Sequence, residues 1–165
     1  MKEKAVKLIV GKVKRKMSEE KKLIASNKKA FFEYFLSDFL EAGLVLKGTE
    51  IKSLRVNGCS LKDSYITIKN NEAYILGMHI SPYEKGNIFN HEATRSRKLL
   101  LHKKEIIKLS SKVKEKGFTL MCTKVYFVRG KAKIELALGK GKKLFDKRED
   151  IAKKDAERRL QQREY

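Results

Sequence analysis

From residue 131 to residue 138 the chain alternates between charged and apolar side chains. Even positions are apolar, and positions 131, 133 and 135 are charged. This period of two is typical of an antiparallel strand with one buried face and one solvated face. Arg129-Gly130 separates this stretch from the apolar residues 118–128 and predicts a turn. We therefore predict a β-hairpin over residues 118–138.

A second hairpin is predicted from residues 61–68 and 73–77. Asn70-Asn71 lies between them, and asparagine tolerates the positive φ angles that tight hairpin turns require. Short antiparallel strands that are interrupted by helices indicate a mainly β fold with flanking helices, an OB-like antiparallel Greek-key barrel. Shorter strands are predicted over residues 22–25, 44–47 and 79–80.

A helix is predicted after Asn27 or Ser26, because either side chain can accept hydrogen bonds from free N–H groups in a first turn. Apolar residues follow at helical spacing, and Gly43 suits the left-handed position just past a helix end. We expect this aromatic stripe to pack in the core, as in other amphipathic helices. Its members are Phe31, Phe32, Phe35, Leu36, Phe39 and Leu40.

Two further helices are predicted, one over residues 49–55 and one over residues 102–116. Thr49 opens the first, and Gly117 stops the second. Between them, residues 81–98 form a long loop. Loops of this length in a compact domain are usually functional or disordered.

The chain divides into three parts: a basic extension over residues 1–21, the barrel domain over 22–139, and a basic tail over 140–165. The tail's i,i+4 acid–base pairs predict a helix, but each contributes only about 0.2–0.5 kcal/mol. That falls short of the nucleation cost of an isolated helix. We expect the tail to fray in free solution and to order only against a partner. Gly139 and Gly141 predict a flexible joint before it.

The charge points to a polyanionic partner. The formal net charge is +20, from 40 Lys+Arg against 20 Asp+Glu. Self-repulsion of this size adds nothing to folding stability, whereas Lys and Arg displace condensed counterions from nucleic-acid phosphates. An anionic membrane surface and a solvated surface with no specific partner are the alternatives. Three basic patches beside loops or glycines favour RNA: Lys28-Lys29, Arg95 with Arg97-Lys98, and residues 140–148.

No motif of covalent or metal chemistry occurs in the sequence. Cys59 and Cys122 are far apart and fit no CxxC or Cys/His spacing, and the three histidines lie on separate predicted elements. P-loop, Rossmann and GxSxG patterns are absent. We expect neither an enzyme nor a metal or cofactor site. No apolar run approaches the ~20 residues that span a bilayer, so we expect a cytoplasmic protein.

Several short strings resemble, in number and order, the SsrA-binding protein family, also called small protein B. The resemblance covers the chain from about Leu23 to the tail, while residues 1–16 lie outside it and Met17 could be the true start. The matching strings are Asn27-Lys28-Lys29-Ala30, Glu41-Ala42-Gly43, 48–55, Asp63-Ser64-Tyr65, 79–83, Gly86-Asn87, Asn90-His91, 97–102, Gly141-Lys142-Lys143 and Asp146-Lys147-Arg148.

The resemblance implies a monomeric, non-enzymatic factor in trans-translation. Its barrel would bind the tRNA-like domain of transfer-messenger RNA and deliver that RNA to stalled ribosomes. Its tail would probe the small-subunit decoding centre and fold as a helix in the empty message channel. The alternative is a general RNA-binding OB module that acts as an RNA chaperone or a ribosome-assembly factor. A basic amphipathic protein at membranes is a further alternative, against which the tail's thin apolar stripe argues.

Site residues follow from the resemblance and from electrostatics. Asn27, Glu41 and Leu100 match family positions at the RNA-binding surface, and Glu41 would accept from a base edge or a 2′-hydroxyl, or orient a cation. On electrostatic grounds we add Lys28, Arg55, Arg97 and Lys98. The predicted ribosome contacts in the tail are Lys140, Lys142, Lys143, Phe145, Asp146, Lys147 and Arg148.

Two positions depart from the family pattern. The family often has Arg-His where this chain has Phe31-Phe32. Many members place His or Tyr before the Asp-Lys-Arg motif, where this chain has Phe145. A phenyl ring can stack on a base but cannot donate a hydrogen bond, so we expect Phe145 to act by stacking.

Overall fold

The computed structural model describes residues 20–115 and 117–163, the side chain of residue 163 excepted. The predicted extension before residue 20 therefore lies almost wholly outside the described residues. Seven strands and four helices make up the described part. They are β1 (Lys22–Ser26), α1 (Lys28–Glu33), β2 (Tyr34–Leu44), α2 (Gly48–Asn57), β3 (Tyr65–Lys69), β4 (Glu72–Leu76), β5 (Arg97–Leu100), α3 (Lys103–Val113), β6 (Phe118–Val128), β7 (Lys131–Gly141) and α4 (Leu144–Arg163).

The strands form one antiparallel sheet that closes on itself. Their order is β1-β6-β3-β4-β5-β2-β7, and a further pairing of β6 with β7 closes a ring of six strands, with β1 added alongside β6. The long strand β6 makes this possible, since its C-terminal half pairs with β1 while Leu120 pairs with Ile66 of β3. Closure removes open sheet edges, which confirms the predicted OB-like barrel with flanking helices.

Both predicted hairpins are present. Asn70 and Asn71 have φ values of 50° and 57°, and Arg129 and Gly130 have values of 49° and 73°. Each two-residue loop therefore has positive φ at both positions, the geometry that matches the twist of paired strands. The inward-facing side chains of the strands form the hydrophobic core. Ile75 of β4, for example, is fully buried.

The long first helix was a wrong prediction. Asn27 does cap a helix, but α1 ends at Glu33 and the chain continues as β2. Pairing of β2 with β7 gives this stretch a ladder of hydrogen bonds, and it overrides the helical spacing of the phenylalanines. A register shift between Ser37 and Leu40, with Asp38 at a φ of 50°, bends the strand.

The core position predicted for that stripe is wrong for three of its phenylalanines, whereas Leu40 does pack against the core. Phe35 and Phe39 are 53% and 49% exposed, and Phe31 is 40% exposed. Gly43 does not end a helix either. It pairs inside β2, where an added Cβ would lie 3.2 Å from the Leu100 side chain.

The predicted glycine joint is part of the barrel. Gly139 pairs with Leu36 and Thr119, and Gly141 pairs with Tyr34, so β7 continues two residues past the predicted domain boundary. α4 begins only three residues later, at Leu144, and is a helix as its charge spacing predicts. The expectation that it frays without a partner stays a prediction.

The other helices match their predictions closely. α2 begins at Gly48 rather than at Thr49, with the Glu50 carboxylate accepting from the backbone N–H of Lys47 at 2.7 Å. α3 ends at Val113, short of the predicted end. Among the described residues, no helix is both long enough and apolar enough to cross a membrane.

Candidate nucleic-acid interface

Glu41 and Leu100 lie side by side on one face of the barrel. Glu41 is on β2 and Leu100 is on β5, and these strands pair through Gly43 and Leu100. Both residues line a cleft with Lys98 and His102. Leu100 is 58% exposed although the strand on which it lies is otherwise largely buried. An exposed leucine beside a charged group offers a base or ribose an apolar contact next to a polar one.

Three donors surround the Glu41 carboxylate. It accepts hydrogen bonds from Lys133 at 2.6 Å, from Lys21 at 3.1 Å and from the hydroxyl of Tyr126. The hydrogen bond from Lys133, followed by that from Tyr126, lowers the pKa of Glu41 to about 2. Burial, together with the neighbouring Glu41, raises the pKa of Tyr126, so its hydroxyl stays protonated and donates.

The charge around the Glu41 carboxylate is positive overall. Glu41 is ionised at neutral pH, but Lys133 and Lys21 together outnumber its charge, so the cluster is cationic overall. Lys21 also lies 4.8 Å from the centre of the Tyr126 ring. The carboxylate therefore holds two ammonium groups in fixed positions on the surface, which supports its predicted role in orienting cations.

Sequence reasoning missed Lys21, Tyr126 and Lys133. A signal existed for Lys133, which alternation places on the wet face of β7. The register that sets Glu41 opposite Glu135, and Gly43 opposite Lys133, could not be derived from the sequence pattern.

Asn27 does not lie on this surface, and its assignment as an RNA contact needs correction. The side chain is 97% buried. Its Nδ2 donates to the carbonyl oxygens of Leu61 (3.0 Å) and Cys122 (3.1 Å), and its Oδ1 accepts from the N–H of Ala30 (3.1 Å). Asn27 thus joins α1 to two distant segments of the barrel and has no donor left for a partner.

Arg97 is also misassigned as a surface cation. It is fully buried and donates from Nε to Glu50, which is fully buried too, at 2.8 Å. Its other nitrogens donate to the carbonyl oxygens of Met78 (2.6 Å), Arg95 (3.0 Å) and Ala93 (3.0 Å). Burial alone would raise the pKa of Glu50, but hydrogen bonds from Arg95, the Lys47 backbone and Arg97 outweigh it and lower that pKa.

The remaining predicted RNA contacts are at least partly exposed, and only one of them lies near Glu41 and Leu100. Lys98 shares the cleft of Glu41 and Leu100, and it pairs with Glu72. Arg55 lies on α2, 5.7 Å from the centre of the Phe127 ring. Lys28, on α1, lines a different groove, between α1 and α4. The structure therefore brings together Glu41, Lys98 and Leu100, and separates the rest.

The predicted tail contacts fall into two groups. Lys142 is nearly buried: its ammonium pairs with Asp150 at 2.5 Å, and its side chain is 10% exposed. Asp146 caps α4 by accepting from the backbone N–H of Lys143 at 3.0 Å. These two residues shape the start of the helix. Exposed side chains are those of Lys140, Lys143, Phe145 and Arg148, with Lys147 half-buried.

Two thiols and one buried histidine lie in the described part of the chain. Within them, no group of three or more His, Cys, Asp or Glu side chains could hold a metal ion. Burial raises the pKa of the Cys59 thiol to about 12 and raises that of Cys122 further, which leaves both as unreactive thiols. His91 is buried and bonds to Thr49 and to the carbonyl oxygen of Ile80.

Comparison with known proteins finds relatives that match most of the chain. The SmpB protein family model matches residues 24–164. The SsrA-binding protein of Acetivibrio thermocellus is 58% identical over 145 residues, which are 88% of this chain and 94% of the relative. That of Caldanaerobacter subterraneus subsp. tengcongensis is 59% identical over 88% of this chain and 92% of the relative.

A solved structure agrees in fold. The chain described under "tmRNA-SmpB: a journey to the center of the bacterial ribosome" superposes with a TM-score of 0.62. It is 44% identical, over 73% of this chain and 85% of that chain. The closed antiparallel barrel, the face on which Glu41 and Leu100 lie and these matches all agree. This chain belongs to the SmpB protein family.

Proposed function

We propose that this chain binds the tRNA-like domain of transfer-messenger RNA and acts with it on stalled ribosomes in trans-translation. The observation that carries the proposal is the match to SsrA-binding proteins over nearly the whole chain, together with a cationic face where family positions Glu41 and Leu100 meet. The barrel is the RNA-binding unit, and the exposed basic helix α4 is the unit directed at the ribosome.

The proposed division of roles between barrel and tail falls at the end of β7. Up to Gly141 the chain is paired strand, and from residue 151 to residue 162 every side chain of α4 is exposed. A helix that buries so little can present its lysines and arginines to phosphates on several sides. We assign Lys140, Lys143, Phe145, Lys147 and Arg148 to ribosome contacts, and we assign no covalent chemistry to the protein.

A matched pair of substitutions tests the RNA face. Leu100→Glu places a negative charge in the cleft beside Glu41, whereas Ile107→Glu adds the same charge to an equally exposed apolar position on α3. We expect Leu100→Glu to weaken binding of the isolated tRNA-like domain about 10-fold to 100-fold, on the order of 1.4–2.8 kcal/mol. Ile107→Glu should stay within about twofold of the unmodified chain in the same filter-binding assay. Equal effects would contradict the assignment of the face.

Deletion of residues 144–165 tests the tail separately. The shortened protein should bind the tRNA-like domain with unchanged affinity and fail to tag peptides on ribosomes stalled at the end of a message without a stop codon. Tagging by the shortened protein would refute the division of labour. RNA that co-purifies from the native cell separates the alternative function: a heterogeneous mixture of fragments would favour an RNA chaperone.

A further inference from the structure

An aromatic groove with a lysine rim runs between α1 and α4, on residues apart from the Glu41–Leu100 cleft. Its volume is about 510 Å³. α1 contributes the rings of Phe31 and Phe32, and Phe31 is 40% exposed. α4 contributes residues 150, 153, 154 and 157, whose spacing puts them on one helical face.

The groove is held open by a fixed base. Lys142 pairs with Asp150 of α4 at 2.5 Å, its backbone N–H donates to the carbonyl oxygen of Glu33 in α1 at 2.8 Å, and its ammonium lies 5.1 Å from the centre of the Phe35 ring. Because one residue contacts both helices, through its backbone N–H and its side chain, Lys142 links α1 to α4. Because Lys142 and Asp150 neutralise each other, the net charge of the rim is set by the other residues.

Those other charges favour an anion. Lys28, Lys153 and Lys154 are exposed at the groove and face a single carboxylate, Glu157, once the Lys142–Asp150 pair is set aside. The Lys154 ammonium lies 5.9 Å from the centre of the Phe32 ring. An exposed ring, Phe31, thus lies in the same groove as exposed ammonium groups, an arrangement that suits a nucleotide whose base stacks on the ring while its phosphate contacts an ammonium.

We propose that this groove binds one or two nucleotides of single-stranded RNA, with a base stacked on Phe31 and a phosphate beside Lys154. The site exists only while α4 packs against α1, so an RNA strand that occupies it also holds the tail helix against the barrel. The proposal rests on the RNA-binding function proposed above and adds a second contact, for an unpaired strand rather than for the folded tRNA-like domain.

Anisotropy titrations of the full chain with fluorescein-labelled hexauridylate, over a range of salt concentrations, test the site. Phe31→Ala should weaken binding roughly fivefold to 150-fold, the worth of one base stack, and leave the salt dependence unchanged. Lys154→Gln should instead lower the slope of log affinity against log salt by about 0.7, as expected for one lost contact to a single-strand phosphate.

Two substitutions serve as matched controls. Phe39→Ala removes a half-exposed ring of β2 that does not line the groove, and Lys131→Gln removes an exposed lysine at the β6–β7 turn. Neither should change affinity or slope by more than a small fraction of the test variants' effects. If Phe31→Ala and Phe39→Ala behave alike, or if inorganic polyphosphate competes as well as hexauridylate does, the stacking site is refuted.

The same proteins distinguish this proposal from the function on which it rests. Binding of the tRNA-like domain should survive Phe31→Ala, since that domain is assigned to the Glu41–Leu100 face. An unmodified chain that binds the tRNA-like domain but not hexauridylate would overturn the groove alone. An unmodified chain that binds hexauridylate but not the tRNA-like domain would overturn the proposed function and leave the groove supported.

Discussion

Arg97→Met decides whether the arginine in the sequence's second basic patch serves RNA or the fold. The substitution keeps a long apolar stem but removes the guanidinium that donates to Glu50 and to three carbonyl oxygens. Glu50 stays fully buried and keeps only Arg95 among its charged partners, at 2.5 Å. We therefore expect Arg97→Met to destabilise the fold without removing a direct RNA contact.

The magnitude follows from the burial of both partners. Removing one member of a buried, hydrogen-bonded ion pair costs about 3–5 kcal/mol, because it leaves an uncompensated charge in the core. The whole free energy of unfolding of a domain is only about 5–15 kcal/mol. With a typical dependence of about 2 kcal/mol per molar urea, the unfolding midpoint of Arg97→Met should fall by about 2 M.

The assay is urea unfolding followed by far-ultraviolet circular dichroism, with Lys98→Met as the matched control. Lys98 is the next residue of β5, but its side chain and that of its partner Glu72 are 42% and 41% exposed. An exposed pair contributes about 0–1 kcal/mol, so the control should keep nearly the full midpoint. The double substitution Glu50→Leu/Arg97→Met should recover part of the loss, because both buried charges are then gone.

One result would refute the reasoning. If Arg97→Met unfolds within about 1 kcal/mol of the unmodified chain and binds the tRNA-like domain more weakly than Lys98→Met does, Arg97 acts at the surface. The burial of Arg97 described above would then be wrong, and the electrostatic assignment made from the sequence would stand.

Two further predictions concern Glu41 and the tail. The folded-state pKa of Glu41 is lowered from 4.5 to about 2, so its contribution to stability is complete above pH 4.5 and is lost as the pH falls towards 2. Between pH 5 and pH 2 the free energy of unfolding, measured by thermal unfolding, should fall by roughly 1 kcal/mol more for the unmodified chain than for Glu41→Gln, a figure reduced for the partial exposure of the carboxylate. Equal decreases for the two proteins would show that the ion pairs of Glu41 do not contribute to stability. In hydrogen exchange of the free protein, amides of residues 151–162 should exchange orders of magnitude faster than those of residues 120–138, and protection equal to that of the barrel would contradict the partner-dependent tail.

The parts of the fold that could be predicted from the sequence are those set by neighbours in the chain. The alternation in β7 and the Asn70-Asn71 turn are local features of the sequence, and both predicted hairpins were confirmed. β2 does not: the hydrogen bond from Ser37 to the carbonyl oxygen of Leu138 spans 101 residues. Helical spacing of phenylalanines could not reveal that a distant strand would claim them.

The same division runs through the site. The family resemblance implies that Glu41 and Leu100 share a surface, and the pairing of β2 with β5 brings them together. Burial of Arg97 depends on Glu50, 47 residues earlier, and burial of Asn27 depends on carbonyl groups 34 and 95 residues later. The sequence therefore suggests that Arg97 and Asn27 are exposed, because the groups that bind them in the interior are distant in the chain.

The energetics of α4 connect the two ends of the molecule. Its ion pair with Lys142, at Asp150, and the contact of Lys154 with the Phe32 ring lie in its first eleven residues, and residues 155–162 beyond them are exposed. Ion pairs of about 0.2–0.5 kcal/mol each cannot hold that outer half straight in water. We expect the remaining free energy to come from contacts with phosphates, which suit a helix rich in Lys and Arg with little apolar area. If so, part of that binding free energy goes into ordering the helix, and we expect the tail to bind RNA with a lower affinity than a pre-ordered helix would.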